Sequence, residues 1–544
     1  MKKEQVFSGN IADVMRREIY PGSVSIRDGK IHKIVRGKNT SGHYIVPGLI
    51  DAHIHIESSM LVPSEFARVA VTHGTVASVS DPHEIANVLG TEGIKYMIAN
   101  GKKVPFKFYF GASSCVPATG FETSGARLGA DAIEELLQQN DIKYLSEMMN
   151  YPGVLHKDPE VMTKLDMAKK YARPVDGHAP GLKGKEAKAY AEAGISTDHE
   201  CYQLDEARDK IRYGMKILIR EGSAAKNFDE LIPLLAEYPA QVMFCSDDRH
   251  PDDLVRNHIN DHIKRALAKG YDPMDVLRAA TCNPVMHYGL DCGLLREGDP
   301  ADFIIADNLE EFNILETYIN GEPVARNGKS LIPQQEVTAV NNFSATRLSP
   351  KDLIIPPESD TIRVIHALDG QLITQSFLAP ATIQNQSVVS NPETDILKMV
   401  VLNRYTPSPP ALAFVKGFGL KQGAIASTVA HDSHNIIAVG TTDGEIVSAI
   451  NLLIENQGGI ATVDRSSKTV LPLPVAGLMT TMDGWRTAEK YAQLDKQAKE
   501  MGSTLHAPFM TLSFMALLVI PRLKLSDKGL FDGKTFAFTD LFVI

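Results

Sequence analysis

Two histidines one residue apart, His53 and His55, stand in the stretch IVPGLIDAHIHIESS at residues 45–59. In an extended chain residues i and i+2 point to the same side, so both imidazoles project together. Convergent imidazoles at a strand end begin a metal site, because imidazole is the commonest protein ligand for zinc, iron and related ions. On an edge strand the same pair would simply be solvated. The apolar lead-in, the Pro47-Gly48 turn and the acidic neighbours Asp51 and Glu57 favour the metal reading, which then requires further ligands at matching places.

Those places are the ends of further strands. From residue 45 to about 290, apolar segments alternate with helical stretches, and eight can be counted: IVPGLIDAHIHI, TVASVSDPHE, FKFYFGASS, IKYLSEMMN, RPVDGHAP, GISTDHE, MKILIREGS and QVMFCSDD. Helices are expected between them, among others over 131–139, 158–171, 183–193, 228–237 and 253–269. Alternating strand and helix specifies an α/β protein with a parallel sheet, and eight units in about 240 residues match a (β/α)8 TIM-type barrel. A doubly wound open sheet is the competing architecture. No GxGxxG follows the first strand, so its dinucleotide signature is missing.

The polar residues fall at the strand ends: His53 and His55 on the first, Asp81, His83 and Glu84 on the second, Glu147 on the fourth, His178 on the fifth, His199 on the sixth and Asp247 on the eighth. In such a barrel all strand C-termini open on one face, where catalytic groups collect. Four histidines and two carboxylates exceed the needs of one tetrahedral ion. Two divalent ions sharing Glu147 would use them all, His53, His55 and Asp247 on one and His178 and His199 on the other. Water between the ions would lose a proton near neutral pH and act as a hydroxide nucleophile. Asp247 could take that proton and pass it to a leaving group. The chemistry implied is metal-assisted hydrolysis, with the substrate left open.

Residues 1–48 carry short strands around an Asp28-Gly29 hairpin, and 291–345 carry more around Asn320-Gly321. Together they are expected to form a small β-sandwich domain into which the barrel, 49–290, is inserted. Residues 350–544 should form an additional α+β domain, with strands in DILKMVVLN and NIIAVGTTDG, helices over 444–457 and 484–501, and a buried helix in the apolar run 509–520. The net charge of −10 over 544 residues argues against nucleic-acid or anionic-membrane partners. The beginning, MKKEQVFSGN, has no apolar stretch and does not read as a signal peptide. The longest apolar run is too short to span a bilayer. Five scattered cysteines without CxxC spacing fit reduced thiols in a cytoplasmic protein. The apolar C-terminal region makes a homo-oligomer the expected state.

Several of these blocks also carry a resemblance. PGLIDAHIHIES, followed by His178, His199, Asp247 and a GDPADF return, is similar to the amidohydrolase superfamily. Within it, DAHIHIESS, SVSDPHEIANV, SEMMNYPGV, SDDRHPDDL, VAHDSHNIIAVG and LPLPVAGLMT resemble the microbial adenine deaminase family over nearly the whole chain. Many binuclear relatives bridge their metals with a carboxylated lysine on strand four; Glu147 takes that place here. The resemblance implies hydrolysis of the purine base adenine to hypoxanthine and ammonia, with a metal-bound hydroxide attacking C6. It implies two divalent ions, manganese or iron rather than zinc. One proton must reach N1 and another the departing amine. Glu147 is a candidate for the first unless locked as a bridge, Asp247 for the second, and His83 and Glu84 for proton transfer or base binding. Residues that read the purine ring are not evident.

The same residues admit plainer readings. His178 in DGHAPG could be a turn histidine, Asp198 and His199 a helix cap, and Asp248, Arg249, His73 and His287 structural. His431, Asp432 and His434 form a compact polar cluster on a loop, either touching the active site or structural. At the level of function the alternatives are another amidohydrolase acting on a cyclic amide or N-acyl group, and a barrel that has lost catalysis and serves as a scaffold. Zinc deaminases of the cytidine type need PCxxC, which does not occur.

Overall fold

All eight apolar segments form strands: Leu49–Ile54, Thr75–Ser80, Lys107–Ala112, Ile142–Met148, Val175–Gly177, Thr197–Asp198, Lys216–Arg220 and Val242–Cys245. These come from a computed structural model describing residues 4–37 and 41–543, so the first three residues of MKKEQVFSGN lie outside the described residues. The first five strands make one parallel sheet and the last three another. The edges meet on both sides: Asp247 N donates to His53 O at 2.9 Å, and Ser196 N donates to Val175 O at 2.9 Å. The result is a parallel sheet of TIM-like type. Strands such as Thr75–Ser80 are buried at every residue, as expected where helices cover the outside and side chains fill the inside.

Two expected helices are broken. Pro233 lacks an N–H and splits 228–237 into Phe228–Leu231 and Leu234–Glu237. The stretch 253–269 separates into Pro251–Arg256 and Ile259–Ala268 because His258 turns inward, its ring facing Asp51 Oδ2 at 2.8 Å and Thr75 Oγ1 at 2.7 Å. In the apolar run only Pro508–Phe514 is helical; the remainder continues in turns.

The flanking strands form one continuous sheet of eight, bent so that Phe7 on Gln5–Asp13 meets Tyr318, three strands away on Ile314–Ile319, at 5.0 Å between ring centroids. Tyr44–Pro47 joins the halves, pairing parallel with Gln5–Asp13 and antiparallel with Phe303–Ala306. Val24, Ile31, Ile45, Phe303 and Tyr318 from strands across this sheet share one apolar cluster. Both hairpin dipeptides turn as their sequence dictates, with positive φ at Asp28 and Gly29 and at Asn320 and Gly321.

Residues 361–472 supply a second eight-stranded sheet, antiparallel except where Thr361–Ala367 meets Ala411–Lys416. Its central strands alternate cleanly. Val400, Leu402, Ala426 and Ala438 pack with the helix Asp443–Glu455, whereas Met399, Val401, Ile437 and Val439 join the core that includes the barrel. Both faces are therefore covered, the second by the helices Gly484–Glu500 and Pro508–Phe514.

Asp302, 1% exposed, ties the return segment to the barrel: it accepts from Lys107 Nζ at 2.7 Å, Gly293 N at 3.0 Å and Asn320 N at 2.8 Å. Asp302→Ala strands a lysine and two backbone donors and is expected to cost about 3 kcal/mol. Calorimetry would show this as a lowered unfolding temperature, and unchanged melting would contradict it.

Candidate active site

The strand ends converge. His53 Nε2 and His55 Nε2 face each other at 3.2 Å, and Asp247 Oδ1 lies 3.2 Å from His55 Nε2 and 3.7 Å from His53 Nε2. Glu147 sits at the centre. Its Oε2 is 3.0 Å from both His178 Nδ1 and His199 Nε2, while Oε1 is 3.5 Å from His55 Nε2 and from His83 Nδ1. All six expected ligands are buried. His178 is therefore no idle turn residue. Asp198 is no helix cap either, since the next helix, Leu204–Arg212, begins at Leu204 with Gln203 as its N-cap. Asp198 instead accepts from Ala179 N at 3.0 Å and pairs with the buried Lys210 at 3.0 Å.

The donor set fits divalent metal. Asp81 O faces His55 Nδ1 at 3.1 Å, which places the ring proton there and leaves a lone pair at Nε2 aimed into the cluster. Burial, reinforced by His199 and His55, holds His53 well below the usual imidazole range, so it stays neutral and can ligate. Burial works against ionised Glu147, but His178 and His199 outweigh it and keep the carboxyl well below its usual range. Burial likewise opposes ionised Asp247, and Arg220 and His55 outweigh it. Imidazole nitrogens and carboxylate oxygens gathered within 3–4 Å are the donor set that a divalent cation takes. Asp247 holds φ at +55°, a left-handed conformation fixed by its N–H bond to His53 O, which aims its carboxylate inward.

Several functional residues escaped sequence reasoning. Arg220, at the end of strand seven, contacts Asp247 Oδ2 at 2.6 Å and grips both oxygens of Glu200. Glu200 Oε1 in turn lies 3.6 Å from His178 Nδ1 and from His199 Nε2. Strand seven was the strand end that offered a cation where ligands were sought, and the basic residue itself was the signal. The HDSH loop touches the site after all. His431 Nδ1 is 2.7 Å from Glu84 Oε1, His434 Nε2 contacts Glu84 Oε2, and Asp432 Oδ1 is 3.7 Å from His83 Nε2. Burial lowers His431, but Glu84 and Asp248 overcome it and push it up to about 9. Asp248 also lines the cavity, while His73 and His287 lie outside the cluster.

The cavity over these groups is small, about 20 Å3, and has mixed walls. Its floor is His55, His83, Glu147, His178 and Asp247; its roof is Leu372, Phe514 and Leu517 from the C-terminal region. A polar floor under an apolar roof suits a flat heteroaromatic ring.

Known families match both parts of the chain. The amidohydrolase family model covers residues 44–324, and the adenine deaminase C-terminal domain model covers residues 371–537. An adenine deaminase from a Sulfurovum species is 57% identical over 532 residues, 98% of each chain, and one from Methanosarcina mazei is 54% identical over 555 residues, 100% of each. The chain belongs to the adenine deaminase family. Amidohydrolases of this kind are metal-dependent, in keeping with the ligand groups at the mouth. Among solved structures, a β-aspartyl dipeptidase from Fervidobacterium islandicum aligns with 61% of this chain and 98% of its own, at 15% identity and a TM-score of 0.45. Among the described residues, no helix is long and apolar enough to cross a membrane.

The ligand set has a direct test. Glu147→Gln removes the central charge and should lose most of the bound transition metal on dialysis against a chelator. Asp176→Ala, whose carboxylate lies 4.0 Å from His53 Nδ1, should weaken retention about tenfold. Metal analysis showing full occupancy in Glu147→Gln would remove it from the ligand set.

Proposed function

We infer that the chain hydrolyses adenine to hypoxanthine and ammonia. The observation that carries this reading is the convergence of His53, His55, Glu147, His178, His199 and Asp247 under a roof built by the region that the adenine deaminase C-terminal model matches. His53, His55 and Asp247 would hold one divalent ion and His178 and His199 a second, with Glu147 between them; manganese or iron suits these nitrogen and oxygen ligands. When bound, the ions supply Lewis-acid charge that makes water acidic near neutral pH.

The chain's own groups direct the protons. Glu147 has both oxygens committed to imidazoles, so we assign it the bridge and not the proton to N1. His83 and Glu84 face the cavity beside it, and Glu84 is steadied by His431 and His434. Burial opposes a charged His83, but Glu84 and Asp81 outweigh it and favour the protonated form. We assign His83 as the donor to N1 as water oxygen bonds to C6, with the Glu84 carboxylate holding its ring at 3.3 Å. Asp247, oriented by Arg220, takes the proton released by water and gives it to the exocyclic nitrogen. The C6–N6 bond then breaks, ammonia leaves, and the hydroxyl proton released as the C6 carbonyl forms restores the group that protonated N1. Leu372, Phe514 and Leu517 exclude bulk water from this sequence.

The same reading extends to organisation. The eight parallel strands are a (β/α)8 barrel spanning 49–290, inserted between 1–48 and 291–345, with a separate domain at 350–544. Five buried, unpaired cysteines support a reducing, cytoplasmic setting. The apolar run 509–520 offers no support for a homo-oligomer, because it is consumed inside the chain against the cavity.

Ammonia release and the ultraviolet change of adenine test the reading, with metal-stripped protein reloaded with manganese. Turnover is expected only after reloading and should be far weaker on adenosine or cytosine. His83→Asn and Glu84→Gln are expected to lower kcat at least about a hundredfold with metal retained. No turnover of adenine by fully loaded protein would sink the assignment.

A further inference from the structure

Lys524 lies in the strand Leu523–Ser526 and is wholly buried. Its ammonium donates to Leu372 O at 2.7 Å and to Phe514 O at 2.8 Å. Among the described residues no carboxylate pairs with it, and burial pushes it down to about 7. A cation in such a place is solvated only by backbone dipoles, and it persists where those dipoles need to be held.

Both carbonyls belong to residues whose side chains roof the catalytic cavity. They come from separate segments. Leu372 sits in a turn at 368–373, and Phe514 ends the helix Pro508–Phe514. The ends of the turn are fixed independently: Asp369 Oδ1 accepts from His506 N at 2.9 Å, and Thr374 N donates to Pro521 O at 3.0 Å. Among the described residues, Lys524 makes the hydrogen bonds that hold the middle of the turn to the end of the helix.

On the far side of Leu372 lies a larger cavity of about 460 Å3, walled also by Tyr202, Lys226, Gln371 and Ile373. Tyr202 and Ile373 are 56% and 46% exposed, so this outer cavity opens to solvent. The two cavities share Glu200 and Leu372. Leu372 is thus the partition between them. In adenine the amino-bearing C6 and N9 lie at opposite ends of the bicycle. With C6 at the metal ligands, N9 lies at the end of the ring system away from them.

We propose that Lys524 is a positioning residue for substrate selectivity: by pinning Leu372 and Phe514 to one strand it keeps the inner cavity closed, admitting the free purine base and rejecting purines substituted at N9. This rests on the assignment of adenine to the cavity. Loosening the latch merges the inner cavity with the outer one and makes room for the substituent.

The test compares wild type, Lys524→Met and Lys524→Arg in the metal-loaded full chain, using adenine and 9-methyladenine. In Lys524→Met, kcat/KM for adenine should fall about tenfold, mostly through KM. The ratio of 9-methyladenine to adenine turnover should rise at least about tenfold. Lys524→Arg, which keeps a donor cation, should restore the wild-type ratio. Amide hydrogen exchange at 368–373 and 514–520 should quicken in Lys524→Met without any substrate. A folded Lys524→Met with unchanged selectivity and unchanged exchange would overturn the latch. If Lys524→Met does not fold, Lys524→Gln is measured by the same two readouts. Wild-type protein inert on adenine would overturn the substrate assignment instead, and the exchange result would then decide the latch alone.

Discussion

Glu147 carries the electrostatics of the barrel mouth. Its carboxylate is 2% exposed and faces imidazoles from strands one, five and six and from the segment after strand two, at 3.0–3.8 Å. So deep a charge is tolerable only when polar groups enclose it on every side. Each of those imidazoles must therefore sit at its own strand end, and the strands must close into a ring to bring them together. The apolar core permits many sheet arrangements; the carboxylate permits few.

A second ring of polar contacts holds the first in place. Arg220 spans Glu200 and Asp247, Lys210 spans Asp198 and Glu206, and Asp51 faces His258 while accepting from Ser246 N. Asp51, Asp198, Arg220 and Ser246 lie in or just beyond barrel strands, and Lys210, Glu206 and His258 reach them from the surrounding helical layer, so strand ends are fixed relative to one another and to the helices outside. The inward pull on His258 breaks a helix to do so. Local helix preference yields there to a buried hydrogen bond, whose loss would leave Asp51 without its partner.

The C-terminal region completes the site instead of standing apart from it. It contributes the histidines that steady Glu84 and the apolar roof over the cavity. The alternation of its central strands explains how. One face packs on the helix Asp443–Glu455, and the other on Gly484–Glu500 and Pro508–Phe514, the last residue of which roofs the cavity. An apolar ring bound between a charged floor and an apolar roof is shielded from water, which strengthens every charge interaction below it.

The chain's local chemistry determined much of this before any fold was seen. Strand-end histidines and carboxylates follow from the two-residue period of extended chain, and the alternation of strand and helix points to a parallel ring. Asp28-Gly29 and Asn320-Gly321 turn as their small side chains and positive φ require. What only the tertiary structure decided was pairing across distance. Nothing near His431 or His434 points to Glu84, some 350 residues away, and nothing in LKLS shows that its lysine reaches two roof carbonyls. The flanking strands became one sheet because Tyr44–Pro47 happens to pair on both sides. Periodicity reports which face of an element is buried, but the partner on that face is chosen by packing and by the need to satisfy buried polar groups, and neither is a local property of the chain.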